Sequence, residues 1–115
     1  PTPIDDVLDR IKKNLGIDHV LLAGDHVRTV ETVAVLGGSG GDIVHDLADR
    51  CDLYVTGELK HHDALPALTR RPAVVCTLHS HSERATLAVV AERLRAMLDI
   101  ETTLVDADRD PFSIV

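Results

Sequence analysis

The sequence predicts a three-layer αβα domain, in which helices cover both faces of a mostly parallel β-sheet. From Thr32 onward, short runs rich in Val and Leu alternate with helical patterns. Strands that alternate with helices indicate βαβ units, whose right-handed crossovers place helices on the faces of a parallel sheet. A chain of 115 residues has room for one core, so a single domain over residues 1–115 is expected.

The first elements are predicted to be a helix and an antiparallel hairpin. Gly16 follows the helix as a C-cap, and the helix has apolar residues at helical spacing: Ile4, Val7, Leu8, Ile11 and Leu15. Residues 19–23 and 32–36 have the composition of strands and flank the turn-forming pair Gly24-Asp25. We therefore expect these two strands to pair as a hairpin near the N-terminus.

The rest of the chain is predicted to continue the alternation. Further strands are predicted at residues 53–56, 73–78 and 102–105, and helices at residues 42–49, 62–69 and 82–98. Pro66 falls in the second of these helices. It either occupies the first helical turn or breaks the helix, and the sequence leaves both alternatives open.

Charge and hydropathy narrow the classes of partner. The formal net charge is −7, and the nearest basic cluster is only Arg70 and Arg71, so no direct contact with nucleic acid is expected. The sequence has neither an apolar run long enough to span a bilayer nor a leader-like segment at its start. We expect a soluble intracellular protein with no membrane partner, in the cytoplasm or, in a eukaryote, the nucleus or mitochondrion.

Cys51 and Cys76 lack CxxC spacing and are expected to be small buried residues.

Polar segments directly follow three of the predicted strands. They are Gly37–Asp42, then Thr56-Gly57-Glu58 continuing to His61-His62-Asp63, then His79–Glu83. In open α/β sheets, ligands bind beyond the carboxyl ends of the strands. We therefore predict that the glycine-rich turn, Glu58, His62 and His79 line one concavity at this edge of the sheet.

The glycine-rich turn, with Gly38, Ser39 and Gly40 at its centre, has two interpretations. Backbone N–H groups next to a helix N-terminus can bind an anion such as phosphate, although the lysine of a P-loop is missing. The alternative is a tight strand-to-helix turn that needs glycine for positive φ and close packing.

His61, His62 and Asp63 point about 100° apart on a helix, so one or two of them can face a site. Otherwise they form a solvated helix start, with Asp63 favoured by the helix dipole.

His79 and Glu83 are four residues apart, so on a helix they lie on one face, close enough to hold one metal ion or to bridge two. The competing interpretation is a capping box, in which Glu83 bonds back to the Ser80 N–H and no metal is involved.

A calcium loop at residues 106–110 is excluded, because Pro111 stands where the turn glycine should be and no closing Glu follows.

Four segments together resemble the second half of the Nif-three-like (NGG-one-interacting factor three) family. They are VAVLGGSGGD, LYVTGELKHHDAL, HSHSER and the closing DRDPFSIV, in the family's order and spacing. The resemblance runs from about residue 4 to the end and is closest to the eukaryotic branch. Bacterial members are often called GTP cyclohydrolase I type 2 homologues.

The resemblance implies a site for two divalent metal ions (zinc, manganese or iron), with His79 and Glu83 as the ligands that this half supplies. The family's other ligands, a His-His pair and an Asp, belong to its first half and are not found here. His61-His62 is not that pair, because its surroundings match the second-half motif. The family also implies a ring-like homo-oligomer, with the first half of the same fold as a partner.

Two functional hypotheses follow. In the first, the complete protein is a metal-dependent hydrolase of a nucleotide-like or phosphorylated small molecule, with substrate oriented by Glu58, His62 and the glycine-rich backbone. The isolated half would be inactive, because two ligands rarely fix a metal. In the second, the protein is an adaptor or metal-handling protein with structural metals and transcriptional protein partners. The sequence does not separate the two.

Overall fold

In the computed structural model, which describes residues 1–47 and 49–115, the fold is built on a four-stranded sheet. Its strand order is β2-β6-β5-β4, with β4, β5 and β6 parallel and β2 antiparallel to β6. The strands are β1 (Thr2–Pro3), β2 (Leu21–Ala23), β3 (Thr29–Val30), β4 (Val33–Ser39), β5 (Leu53–Glu58) and β6 (Ala73–Cys76). The α-helices are α1 (Ile4–Leu15), α2 (His61–Ala64) and α3 (His79–Met97), with 3₁₀-helices at Gly41–Leu47 and Leu65–Leu68. The predicted α/β class with a mostly parallel sheet is confirmed.

Antiparallel pairing near the N-terminus is confirmed, but the predicted hairpin has the wrong partners. β2 pairs with β6, so β2 and β4 lie at opposite edges of the sheet. Between them, β3 pairs with β1 in a separate two-stranded sheet, and the buried residues Val27 and Val30 join the core. The turn predicted at Gly24-Asp25 is present, since the Val27 N–H donates to the Gly24 carbonyl at 3.3 Å, but the chain after it pairs with β1 and not with β2.

Helix α1 covers one face of the sheet. It carries Asp5 and Asp6 in its first turn and Lys12 and Lys13 in its last, which complements the helix dipole. Gly16 ends the helix at φ 66°, and its N–H donates to the Lys12 carbonyl, so the predicted C-cap is confirmed. The core on this face contains Ile4, Val27, Val30, Leu53, Ala73 and Val75, with Val7, Leu8 and Ile11 packed against it.

The opposite face is covered by the 3₁₀-helices. Its core contains Val44, Tyr54, Ala67 and Val74, with Ala34 and Leu36 packed against it. The predicted helix at 42–49 is the 3₁₀-helix Gly41–Leu47, and residue 48 lies outside the described residues. The predicted helix at 62–69 is α2 followed by a 3₁₀-helix with Pro66 in its first turn, which decides between the two alternatives for that proline.

Helix α3 contacts α1, β4 and β5, but much of its apolar surface is exposed. The predicted strand at 102–105 is wrong: residues 98–115, all of them described, form no helix or strand. This tail lies along α3, where Arg95 donates to the Thr102 carbonyl at 2.6 Å and Arg84 pairs with Asp108 at 2.7 Å.

Cys51 is buried and Cys76 half-buried, and burial raises the pKa of both thiols. In the described part of the chain, no helix is long and apolar enough to cross a membrane.

Candidate metal site

Three strand-to-helix junctions meet at the carboxyl edge of the sheet, and Gly57 allows them to approach closely. A Cβ on Gly57 would lie 2.5 Å from the Gly38 carbonyl oxygen, 2.6 Å from Ser82 Oγ and 3.0 Å from His79 Cα. Real Cβ atoms essentially never lie closer than 3.0 Å to such atoms, so the first two distances leave no room for a side chain. Glycine at the end of β5 is therefore what lets the β4 turn and the start of α3 share one space.

Hydrogen bonds join the glycine-rich turn to the start of α3. The Gly38 N–H donates to Ser82 Oγ at 2.8 Å, and Ser82 Oγ donates to the His79 carbonyl at 2.7 Å. From β5, Thr56 Oγ1 donates to the Gly38 carbonyl at 3.3 Å. Ser82 thus holds the site together, a role that the sequence reasoning missed. The available signal was its position three residues after His79, on the same face of the helix.

The turn itself matches the tight-turn interpretation. The strand register shifts between Leu36 and Ser39, so the β4 ladder is irregular there, and Gly38 adopts a left-handed φ of 74°. The Gly38 N–H is used by Ser82, and the Gly40 N–H donates to the Glu58 carbonyl at 3.4 Å. Because two central N–H groups bond within the protein, the geometry favours a structural junction over an anion cradle at Gly38, Ser39 and Gly40.

His79 stands between two glutamates. Its Nδ1 lies 3.0 Å from Glu58 Oε1 on β5, and its Nε2 lies 3.4 Å from Glu83 Oε1, one helical turn further along α3. The hydrogen bond to Glu58 raises the pKa of His79, and the charge of Glu83 acts in the same direction. The ring is about half exposed, at 48%, so it faces solvent at the edge of the sheet.

The start of α3 decides against the capping box. The helix begins at His79, and among the described residues no side chain caps it by a hydrogen bond. Glu83 pairs with the His79 ring instead of the Ser80 N–H. Leu78, just before the helix, has φ 69° and ψ 149°, a conformation that is nearly restricted to glycine. Such strain is typical of residues held in place by a functional site.

His62 does not join His79. Its Nε2 lies 3.5 Å from Asp63 Oδ1, and Nε2 of His45, on the 3₁₀-helix Gly41–Leu47, lies 3.5 Å from the same oxygen. Asp63 is only 14% exposed and packs against Gly41, where a Cβ would lie 2.8 Å from Asp63 Oδ2. Asp63 also lines a small cavity of about 110 Å³, together with Ser39, Gly41, Asp42 and Lys60.

By their side-chain contacts, these residues form two clusters. Glu58, His79, Ser82 and Glu83 form the first beside Gly38, and His45, His62 and Asp63 form the second beside Gly41. His45 was not identified from the sequence, because no motif sets it apart from other solvated histidines. Only its approach to Asp63 in space reveals it.

The first cluster offers a metal two ligand atoms. Two ligands of one tetrahedral zinc ion, each bound at about 2.0–2.2 Å, lie roughly 3.3–3.5 Å apart. The 3.4 Å between His79 Nε2 and Glu83 Oε1 fits this separation, and imidazole nitrogen with carboxylate oxygen is a donor set that zinc, manganese and iron accept. Across residues 1–47 and 49–115, no group of three or more His, Cys, Asp or Glu is arranged to hold a metal ion. Glu58 does not complete the set, because it binds the opposite nitrogen of the ring.

Fold and site define an α/β protein whose candidate site lies at the carboxyl ends of parallel strands, around an i, i+4 His–Glu pair. The chain belongs to the Duf34/NIF3 (NGG1p interacting factor 3) family, whose model matches residues 1–111. The family resemblance inferred from the four sequence segments is thus confirmed.

Relatives and solved structures agree with this assignment. NIF3-like protein 1 of Rattus norvegicus is 37% identical over an alignment of 115 positions, which covers 95% of this chain and 30% of the rat protein. The GTP cyclohydrolase 1 type 2 homolog of Pyrococcus abyssi is 24% identical, over 93% of this chain and 43% of that protein. The crystal structure of Staphylococcus aureus protein SA1388 has the same fold, with a TM-score of 0.79 and 24% identity over 99% of this chain and 34% of that one. The chain thus spans less than half the length of each of these relatives.

Proposed function

We propose that this chain contributes His79 and Glu83 to a site for two divalent metal ions, in a hydrolase of a nucleotide-like or phosphorylated small molecule. The observation that carries the proposal is the 3.4 Å separation of His79 Nε2 and Glu83 Oε1 on one face of α3. Further ligands would come from residues of a longer protein, since this chain matches only 30% of its rat relative. Divalent metals bound there would make a bound water acidic enough to act as a nucleophile near neutral pH.

The chain's own residues hold the two ligands in place. Ser82 bonds both the Gly38 N–H and the His79 carbonyl, so the backbone of the first ligand is tied to the β4 turn. Glu83 lies one turn further along the same helix, which fixes its direction relative to His79. His62 and Asp63, which pair at 3.5 Å just after β5, would orient the substrate together with Glu58.

The substrate class rests on two supports. The Pyrococcus abyssi relative carries the name GTP cyclohydrolase 1 type 2 homolog, which points to a purine nucleotide. In addition, Lys60 lines the small cavity beside Asp63, and His45 and His62 contact Asp63; such groups can donate hydrogen bonds to phosphate oxygens. Both supports favour a phosphorylated or nucleotide-like ligand over an apolar one.

The exposed apolar surface of α3 supports assembly with further protein. Leu87, Val90, Leu94 and Leu98 are 44%, 47%, 37% and 48% exposed, and Val35 on the edge strand β4 is 75% exposed. Large apolar side chains in such numbers mark a surface that another protein layer covers. We propose that the first half of the same fold and further copies of the protein supply this layer, as a homo-oligomer.

An adaptor function is the second candidate. The family description itself names an interaction with NGG1p, and the exposed apolar helix suits a protein partner as well as an oligomer. In this case the metals would be structural and the second cluster would have no substrate to orient.

The test uses the complete protein, its His79→Ala variant and, as a matched control, His26→Ala at an exposed loop position. Calorimetry with zinc and with manganese is expected to show binding that His79→Ala weakens at least tenfold and His26→Ala leaves unchanged. The metal-loaded protein is then incubated with GTP and a panel of phosphorylated small molecules. Full metal occupancy without turnover of any of them would favour the adaptor.

A further inference from the structure

We infer that Glu58 is a positioning residue: it fixes the tautomer of His79 so that Nε2 is free to bind a metal beside Glu83. The metal part of this inference rests on the proposed function, whereas the tautomer part does not. The sequence prediction gave Glu58 a substrate-orienting role. Its contact with Nδ1 of His79, at 3.0 Å, supports this different one.

The imidazole ring of His79 can hold its proton on either nitrogen. A neutral imidazole carries one N–H donor and one acceptor nitrogen, and the hydrogen bond made by one nitrogen decides the state of the other. An ionised carboxylate can only accept, so the nitrogen that contacts Glu58 must be the donor. Nδ1 therefore holds the proton, and Nε2 is left with a lone pair directed towards Glu83 Oε1.

That arrangement leaves two acceptors facing each other. The Nε2 lone pair and the Glu83 carboxylate, 3.4 Å apart, have no proton to share in the neutral tautomer, and either a second proton on Nε2 or a metal cation between them satisfies both. Histidine ligands of metal sites commonly donate their second nitrogen to a carboxylate in this way, which fixes the ring and raises its basicity.

Both ends of the Glu58–His79 contact are held by the backbone. Glu58 ends β5, where its residue pairs with Ser39 of β4 and its carbonyl accepts the Gly40 N–H. The His79 carbonyl accepts from Ser82. The two side chains therefore meet from two different strand ends, and their contact is set by the fold of the carboxyl edge.

The Glu58 side chain contributes little to packing, which separates a positioning role from a structural one. It is 54% exposed, so its removal opens no cavity. A direct ligand role is also unsupported by the geometry, because the carboxylate contacts the ring nitrogen opposite to the one that faces Glu83.

The experiment compares Glu58→Ala and Glu58→Gln in the complete protein, with Glu92→Ala on the exposed part of α3 as the charge-matched control. Nitrogen-15 NMR of the metal-free protein, at a pH where His79 is neutral, reports the tautomer. The His79 signals are assigned by their loss in His79→Gln. We expect the Nδ1–H form in the parent protein, in Glu58→Gln and in Glu92→Ala. We expect a shift to the Nε2–H form in Glu58→Ala, because the amide oxygen of Gln still accepts the bond and Ala does not.

Calorimetry with zinc alone is the second readout. Glu58→Ala is expected to lower zinc affinity by about 10–100-fold and Glu58→Gln by less, with melting temperatures unchanged. An Nδ1–H form that persists in Glu58→Ala overturns the inference whatever the metal does. Equal loss of zinc affinity in Ala and Gln variants, with the tautomer kept in Gln, overturns it in favour of direct ligation. If Glu58→Ala shifts the tautomer but the parent protein binds no zinc, the tautomer assignment is supported and the proposed function is overturned instead.

Discussion

His79 Cα lies 3.0 Å from the point that a Cβ on Gly57 would occupy. The end of β5 and the start of α3 can therefore pack this closely only because residue 57 has no side chain. Gly57 is also flanked at 2.5 Å by the Gly38 carbonyl, which is backbone and cannot swing aside. The position of the first candidate ligand thus depends on a residue that has no functional group of its own.

Gly57→Ala is expected to force the junctions apart. The overpacking should lower the free energy of unfolding by about 1–3 kcal/mol and displace His79, on α3, from Glu58, on β5. Urea unfolding and zinc calorimetry of the complete protein measure the two effects. Gly37→Ala is the matched control, because a Cβ there meets nothing closer than 3.5 Å, and it should change the free energy of unfolding by no more than about 0.5 kcal/mol. Equal effects of the two substitutions would show that the close approach at Gly57 is unimportant.

Asp52, at the opposite edge of the sheet, is expected to make stability depend on pH. Its carboxylate accepts the N–H groups of Glu31 and Thr32 at 2.9 and 3.0 Å and pairs with Arg71 at 2.8 Å. The two backbone hydrogen bonds are the main reason why the pKa of Asp52 lies below its usual value. A lowered folded-state pKa stabilises the protein above the unfolded-state pKa of about 4, and this stabilisation is lost as the pH falls through the lower value.

Asp52→Asn should therefore cost about 1–3 kcal/mol at pH 7 and much less at pH 3. Urea titrations of both proteins at the two pH values test this. Asp9→Asn provides the comparison, because Asp9 is 74% exposed in an i, i+3 pair with Lys12 and should change the free energy of unfolding by less than about 0.5 kcal/mol at either pH. A constant difference between Asp52→Asn and the parent across this range would argue against the linkage.

Glu83→Gln should separate a metal ligand from a helix cap. Because Glu83 pairs with His79 and not with the Ser80 N–H, the substitution is expected to weaken zinc binding and leave the melting temperature nearly unchanged. Calorimetry and thermal unfolding in the absence of metal make the comparison. A stability loss of about 1 kcal/mol, the usual value of a cap, together with unaltered zinc affinity would restore the capping-box interpretation.

The layout of the site was predictable because it follows from local patterns and one topological rule. The apolar runs of β4, β5 and β6 are each followed by polar segments, and parallel strands bring such segments to one edge. Gly38, Glu58 and His79 accordingly meet there. The i, i+4 spacing of His79 and Glu83 is also local, since a helix alone sets it.

What failed depends on contacts that are distant in sequence. The pairing of β2 with β6, as in Leu21 with Cys76, joins residues far apart in the chain, whereas the Gly24-Asp25 turn favoured a neighbour. His62 lies on a helix of four residues, too short for its periodicity to fix a direction. Its orientation follows from the packing of Asp63 against Gly41, which no spacing rule contains. The predicted strand at 102–105 has no sheet edge beside it, because the tail is held along α3.

The exposed apolar residues of α3 also govern how these 115 residues behave at high concentration. At neutral pH the formal charge of −7 keeps molecules apart by mutual repulsion. The sequence isoelectric point is about 5.3, and near that pH the repulsion vanishes while Leu87, Val90 and Leu94 remain exposed. Turbidity and self-association of a preparation limited to this segment should therefore rise steeply on mild acidification, with added salt moving the onset towards neutral pH.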